Sequence, residues 1–372
     1  PVLIAGAGIG GATLAVALGQ RDVAVRLLER APALRPVGAG ITMQPNAMAV
    51  LARLGLDGRV RDAGCAIEEA WVRRADGMAL SRVDLGGEER QIVGIHRAAL
   101  LRALLEGQDV RIELGFEAVG YAPDADGVTV RAADGREVRG AALVGADGLL
   151  SAVRAQLLGE TALRYSGYTS WRGVCSAAGI DHPRGLSTET WGRGRRFGIV
   201  PIGGDQLYWF ATENGAPGGT DASVDALLER FAELHEPVEA ILRATPPEAV
   251  LRTDIHDRAP VDRWTEGRVA LLGDAAHPMT PNLGQGGCQA VEDAWVLAEA
   301  WTAASSPERA FARYQDARLE RANALVRMSW DLGRTAQWES GLARFIRDLA
   351  VRGTPRWLLE RRLRQVLDAA PV

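Results

Sequence analysis

Lysine is absent from this chain of 372 residues; all 43 basic positions are arginine. A GC-rich coding sequence explains that more simply than selection for bidentate anion binding does. Against 47 acidic residues the arginines leave a net charge of −4. No polybasic face is expected, so neither nucleic acid nor anionic lipid is an expected partner. Only three cysteines occur, Cys65, Cys175 and Cys288, far apart and without paired spacing. They make neither a disulfide framework nor a metal site, and they suit a reducing cytoplasm. The five histidines are scattered, with no HxxxH or HxH, which removes a metal centre from the expectations. No apolar run reaches membrane-spanning length, so a soluble protein without a membrane span is expected. The apolar start PVLIAGAGIGGATLAVAL has the hydropathy of a signal peptide but no basic leader, and its glycines fall in a motif. A strand pattern begins directly after Pro1, so a few further residues are expected ahead of it.

What is present is an ordinary globular composition, 47% hydrophobic and 24% charged, with ample length for a large core. Residues 2–6 read as a buried strand, 9–18 as a helix and 23–29 as a second strand, which together make a βαβ unit. Helical patterns follow at 46–54 and 96–107, with short strands between 66 and 93. The turns DADG and AADG predict a small antiparallel meander before another buried strand at 141–144. Residues 165–258 are richer in aromatics and strand-like, interrupted by helices at 224–234 and 238–244. Residues 268–274 return to the style of a parallel sheet, and helices are expected at 308–331, 341–351 and 355–367.

The fold class is therefore α/β. Segments 1–65, 90–160 and 262–340 are expected to form a Rossmann-like nucleotide-binding domain around a parallel sheet. Segments 66–89 and 161–261 would form an inserted, mixed-sheet substrate domain, and 341–372 a set of C-terminal helices.

GAGIGG, at 6–11, follows the first strand and opens the first helix. Gly6, Gly8 and Gly11 fit GxGxxG: the first allows the tight turn, the second lets backbone approach a pyrophosphate, and the third packs helix on strand. Gly10 belongs to the same turn. Glu29 ends the next strand, about 20 residues on, where an acid accepts the adenosine ribose hydroxyls. That acid excludes a ribose 2′-phosphate, leaving NAD or FAD. Arg30 is a further candidate here, although a solvated charge explains it as well.

A second glycine turn closes LLGDAAHPMTPNLGQGG, at 271–287. Asp274 offers a carboxylate to polyol hydroxyls, and Gly284, Gln285, Gly286 and Gly287 offer free N–H groups at a helix N-terminus. NAD has no polyol. FAD has a ribityl chain, and a flavin edge that becomes negative on reduction.

On these residues the chain resembles the single-component, FAD-dependent class A monooxygenases of the para-hydroxybenzoate hydroxylase type, over nearly its whole length. Three fingerprints carry the resemblance in the family's order: GAGIGG, LVGADGLLSAVR at 143–154, and LLGDAAHPMTPNLGQGG. SGYTSWRG and GQGGCQAVEDA are closest in flavour to salicylate-hydroxylase-like, urate-hydroxylase-like and zeaxanthin-epoxidase-like members. The resemblance implies non-covalent FAD, NAD(P)H as a transient donor and O2 as co-substrate. It further implies hydroxylation or epoxidation of an aromatic or polycyclic small molecule through a flavin C4a-hydroperoxide. The C-terminal helices either brace the flavin domain or form a dimer face, so a monomer or a homodimer is expected. It assigns Gly6, Gly8, Gly11 and Glu29 to the ADP half and Arg97 to the ribityl-pyrophosphate region. Asp147 falls near the pyrophosphate, Asp274 on the ribityl chain, and Gly284–Gly287 on the flavin pyrimidine edge. The Pro281 carbonyl would lie beside substrate and the oxygen-reactive carbon.

From the aromatic strands, Arg196, Phe197 and Tyr208 are candidate pocket residues. An arginine in an apolar pocket suits an anionic or carbonyl-bearing substrate, and Tyr208 suits a phenol. A solvated turn of Arg193, Arg195 and Arg196 with Tyr208 in strand core is equally open. Alternation puts Tyr208 and Phe210 on one face and Leu207 and Trp209 on the other, without saying which lines a cavity. Arg154 either pairs with Asp147 or sits on its helix. His277 is favoured as loop scaffold and Cys288 as a packed small residue. Two rivals stay open: a reductase of the same superfamily that inserts no oxygen, and a non-catalytic flavoprotein. A halogenase is set aside because no WxWxIP stretch occurs.

Overall fold

The strand Val2–Ala5 is buried at every residue because it lies inside a parallel sheet. The computed structural model describes residues 1–34, 39–87 and 91–355, and beyond them only 358, 361, 366 and 367. In its six-stranded sheet the order is Thr265–Glu266, Val269–Leu271, Ala142–Gly145, Val2–Ala5, Val25–Glu29, Ile112–Leu114. All neighbours run parallel except the first pair. Helix Ile9–Gly19 is buried from Ile9 to Leu18, and helix Gly286–Thr302 packs against it. An apolar surface all round is what such an enclosed helix requires. The meander predicted from the Asp-Gly turns is present as Ala118–Pro123, Val128–Ala132 and Glu137–Gly140, all antiparallel.

A seven-stranded mixed sheet has the order Leu251–Asp257, Arg164–Ser176, Gln206–Asn214, Arg195–Ile202, Leu186–Trp191, Glu69–Arg74, Ala79–Asp84. Its two faces do different jobs. One carries Trp171, Phe197, Leu207 and Trp209 into a core closed by helices Val224–Arg230 and Val238–Arg243. The other carries Ser170, Arg172 and Val174, Tyr208, Phe210 and Thr212, and Arg196, Gly198 and Val200 in adjoining rows. That second face turns towards Gly40 and Gly94, against which Tyr208 and Val200 pack. A Cβ on Gly40 would lie 2.4 Å from Tyr208, and one on Gly94 would lie 2.2 Å from the Pro201 carbonyl oxygen.

Between the two sheets sits a three-stranded one made of Gly40–Met43, Ile92–His96 and Cys65–Ile67. Sequence patterning does not anticipate Gly40–Met43, and Cys65–Ile67 straddles the expected boundary at 65. Helix Pro307–Ala336 is 30 residues long, exceeding the expected 308–331, and Gly341–Gly353 follows it. The helix expected at 355–367 lies mostly outside the described residues. No described helix is long and apolar enough to cross a membrane.

Candidate active site

The first glycine turn is shaped by its neighbours. Gly6 has φ +103°, and a Cβ there would lie 2.4 Å from the Ala146 carbonyl oxygen. A Cβ on Gly11 would lie 2.0 Å from the Gly6 oxygen, so only glycine lets helix and turn approach this closely. Gly10 faces Leu272 and Ala290, which makes its missing side chain a matter of helix packing. Gly8 differs: a Cβ there would meet nothing within 4 Å. Helix Ile9–Gly19 begins behind it with no side-chain cap and no acid in its first turn. Open space before uncapped N–H groups is what a pyrophosphate needs.

Glu29 stands at the edge of this space, its carboxylate accepting from the Ala7 and Ala31 N–H groups, each at 2.8 Å. Those bonds aim it while leaving lone pairs for ribose hydroxyls. Arg30, beside it, is exposed.

Asp147 follows Ala142–Gly145 and touches the same turn, its Cα 3.1 Å from where a Gly6 Cβ would be. Its carboxylate accepts from the Ser151 hydroxyl and, at 3.3 Å, from the Val153 N–H. Burial raises its pKa above the ordinary value, and the Ser151 hydrogen bond offsets part of that. Arg154 sits on its helix and does not pair with Asp147. It is buried and donates to the Ala275 and Ala276 carbonyls at 2.8 and 2.7 Å, tying helix Ala152–Leu158 to the loop that carries Asp274.

Asp274 is solvent-accessible yet closely surrounded by protein, and its carboxylate accepts no hydrogen bond from any described residue. Burial pushes its pKa up, opposed by His277 and Arg97. Arg97 opens helix Arg97–Leu105 and is exposed; its backbone N–H donates to the Ala39 carbonyl, while its guanidinium hydrogen-bonds to no described residue. A free carboxylate and a free guanidinium therefore share the floor between the two glycine turns. That pair fits a ligand bearing both hydroxyls and phosphate.

The second turn runs through Pro281–Leu283 and a left-handed Gly284 with φ +63°. The Pro281 carbonyl accepts the Gly284 N–H at 3.0 Å, which holds the turn closed and leaves one lone pair free. Helix Gly286–Thr302 starts with no side-chain cap, so its first N–H groups are available to an anion or a polarised carbonyl. A Cβ on Gly286 would sit 3.7 Å from the Asp274 carboxylate, and one on Gly287 only 2.8 Å from Ile41 in the unanticipated strand. Gln285 offers its backbone and not its side chain. Its side chain is buried and turned inward to Gln44 and Asn46, leaving only its backbone for a cofactor.

Behind this turn lies a buried polar network that pattern reading passed over. Asp293 accepts from His277 Nε2 at 2.6 Å, Arg318 Nε at 2.8 Å and the Gly273 N–H at 3.1 Å. Glu292 accepts from Arg318 and Asn46. Burial alone would raise the Asp293 pKa, but His277 and Arg318 bring it down to about 2. His277 is thus scaffold for the Asp274 loop. The signal is the VED of CQAVEDA, two consecutive acids within a mostly apolar helix. Cys288 packs beneath with its thiol pushed up to about 12 by burial, as a small core residue would be.

The second face of the seven-stranded sheet closes the site. Arg196 is 3% exposed and fully engaged: Glu189 at 3.0 Å, Gln337 at 3.0 Å and Asn282 at 2.7 Å. Glu189 neutralises it, so it steadies the Pro281 turn through Asn282, which also accepts from the Tyr168 hydroxyl. Phe197 lies on the opposite face, stacked on Trp209 at 5.5 Å, and is core. Tyr208 is on the site's face, half-buried, with no hydrogen-bond partner among the described residues. Burial raises its phenol pKa, partly offset by Arg172. A cavity of 820 Å³ lined by Ile67, Arg82, Asp84 and Gln91 shares no residue with either glycine turn.

The profile of a family described as "FAD binding domain" matches residues 1–329. The chain is 48% identical to aurachin C monooxygenase/isomerase of Stigmatella aurantiaca, covering 100% of this chain and 98% of that protein. It is 37% identical to 2-heptyl-3-hydroxy-4(1H)-quinolone synthase of Pseudomonas aeruginosa, covering 98% and 97%. Among solved structures it resembles Klebsiella pneumoniae HpxO complexed with FAD and uric acid, with TM-score 0.92, 30% identity and coverage of 100% and 97%.

Proposed function

The chain belongs to the FAD binding domain family and is an FAD-dependent class A monooxygenase that uses NAD(P)H and O2; on that premise we propose that its substrate is a 4-quinolone carrying an aliphatic chain, hydroxylated beside the ring carbonyl. The observation that carries this reading is the sheet face opposite the second glycine turn. There Phe210 covers Gly198, where a Cβ would lie 2.1 Å from its ring, and the Tyr208 hydroxyl waits unbonded next to it. A flat apolar floor with a polar tip matches a fused ring with one oxygen substituent. The name of the quinolone synthase, 37% identical, points to the same ring.

The chemistry FAD supplies when bound is acceptance of two electrons from NAD(P)H and delivery of one atom of O2, the other leaving as water. The chain's residues bind and shield. Gly8, Glu29, Arg97 and Asp274 would hold the cofactor, with the uncapped helix start at Gly286 available to its pyrimidine edge and Asp147 to the pyrophosphate region. Arg196 and Asn282 hold the Pro281 turn, while the sheet face excludes water from the reacting centre. In a 4-quinolone the ring nitrogen feeds density towards the carbon beside the carbonyl, and an electrophilic oxygen atom needs such a carbon. We place the enzyme in the cytoplasm on the unpaired spacing of its cysteines.

The test is turnover of 2-heptyl-4(1H)-quinolone, the des-hydroxy form of the ring named above, by the FAD-loaded enzyme with NADH or NADPH under isotopically heavy O2. One heavy oxygen atom in the product supports the reading. Flavin reduction without label in any product would favour the reductase, and labelled product from urate alone would move the substrate to purines.

A further inference from the structure

Arg172 lies within the strand Arg164–Ser176, directly across from Phe210 and diagonal to Tyr208. It is half-buried, yet its guanidinium makes no hydrogen bond, ion pair or ring contact with any described residue. The other arginines of this sheet behave differently: Arg73 and Arg82 lie over the Trp71 ring, and the rest pair with acids, Arg74 with Asp76 among them. Arg164 pairs with Asp257, Arg195 with Glu213, Arg196 with Glu189 and Arg252 with Asp254. Its nitrogens stay open to the cleft rather than sealed in the core, so the Arg172 charge is committed to no protein group and is free for a ligand. The Tyr208 hydroxyl likewise has no partner among the described residues and stays open to the cleft. The two unsatisfied groups flank Phe210, and cross-strand diagonals are within reach of long side chains. The face they occupy is the one turned to Gly40 and the Pro281 turn, away from the helix-covered core.

We propose that Arg172 and Tyr208 form the polar clamp that takes the ring oxygen of the substrate, Arg172 donating as an obligate cation and Tyr208 donating its hydroxyl, while the ring lies on Phe210. The proposal rests on the reading above that this face receives the substrate. It assigns the clamp to an arginine that motif reading never singled out, and withdraws that role from Arg196. Arg172 selects rings with an anionic or carbonyl oxygen and discriminates against the corresponding ethers, since an ether oxygen cannot carry the charge that a guanidinium seeks.

The experiment titrates the FAD-loaded enzyme with 2-heptyl-4(1H)-quinolone, with its 4-methoxy ether and with urate, following the flavin spectrum. Arg172→Gln should weaken binding of the oxo ring by about tenfold or more, as expected for a hydrogen bond to a charged group, and leave the weak ether affinity unchanged. Arg172→Lys should recover part of the loss. Because Arg172 has no partner to abandon, the Gln variant should keep its flavin and melt no lower than wild type, which a merely structural arginine would not do. Unchanged affinity for the oxo ring, or a variant that loses flavin or unfolds, overturns the assignment. Should wild type bind urate and not the quinolone, with Arg172→Gln weakening urate, the quinolone reading falls and the clamp stands. Binding of neither ring by wild type overturns both.

Discussion

Replacing Asp293 by Asn tests whether the loop presenting Asp274 is held by charge. Asp293 is wholly buried, with the His277 Nε2–H, the Arg318 guanidinium and the Gly273 N–H converging on it. Its carboxyl titrates at about 2 against an ordinary 3.8, because the His277 and Arg318 interactions outweigh the burial that would raise it. One pKa unit is worth about 1.4 kcal/mol between the two protonation states, so the ionised form contributes about 2 to 3 kcal/mol to folding. The sign follows from the depressed value. This stability is present above the unfolded pKa and is lost as pH falls from about 4 through about 2. Asparagine has the shape of the protonated acid and keeps an acceptor for Gly273. Asp293→Asn should therefore cost about 2 to 3 kcal/mol at neutral pH and progressively less as acid protonates the wild type. Urea unfolding of both proteins, followed by tryptophan fluorescence at neutral pH and at about pH 3, measures the difference. Equal stability at neutral pH, or a gap that persists undiminished in acid, would refute the reasoning. FAD affinity should fall in the same variant, since Gly273 and His277 flank Asp274.

Asp274→Ala should reduce FAD affinity about tenfold or more, the value of a hydrogen bond to a charged acceptor, without lowering the melting point of the apoprotein, because no described residue bonds that carboxylate; undiminished flavin occupancy in the absorbance spectrum would contradict the placement. Gly8→Ala and Gly11→Ala should separate cleanly. The first has open space and should fold normally but bind FAD weakly, whereas the second drives a methyl to 2.0 Å from the Gly6 oxygen and should cost about 1–3 kcal/mol even without cofactor. Equal melting points for the two variants would undo that distinction. Cys288, buried with its thiol pushed up to about 12, should resist maleimide in the folded protein and react only on unfolding; rapid labelling of the native enzyme at this residue would show the packing to be wrong.

Both glycine turns, the βαβ unit and the Asp-Gly meander are legible in the chain because their requirements are local. A left-handed φ at Gly6 or Gly284, a two-residue alternation and a helix start each leave their mark within a few neighbouring residues. The short strand Gly40–Met43 leaves almost none, since four residues are too few for a period to show. Other outcomes depended on partners distant in the chain. Arg196 and Arg172 are the same residue type on one sheet face. Glu189 and residues near 282 and 337 neutralise and bind the first, and nothing described bonds the second. Arg154 reaches the carbonyls of Ala275 and Ala276, which no spacing within LVGADGLLSAVR could foretell. The alternation of Leu207, Tyr208, Trp209 and Phe210 defined two faces and could not rank them, since both are aromatic. The helices Val224–Arg230 and Val238–Arg243 covered one and left the other to the cleft. Sequence alone thus determined where backbone must turn and what it must cradle. Which side chains remain free to meet a substrate was decided only by tertiary packing, because a charge is free or spent according to what the rest of the chain brings beside it.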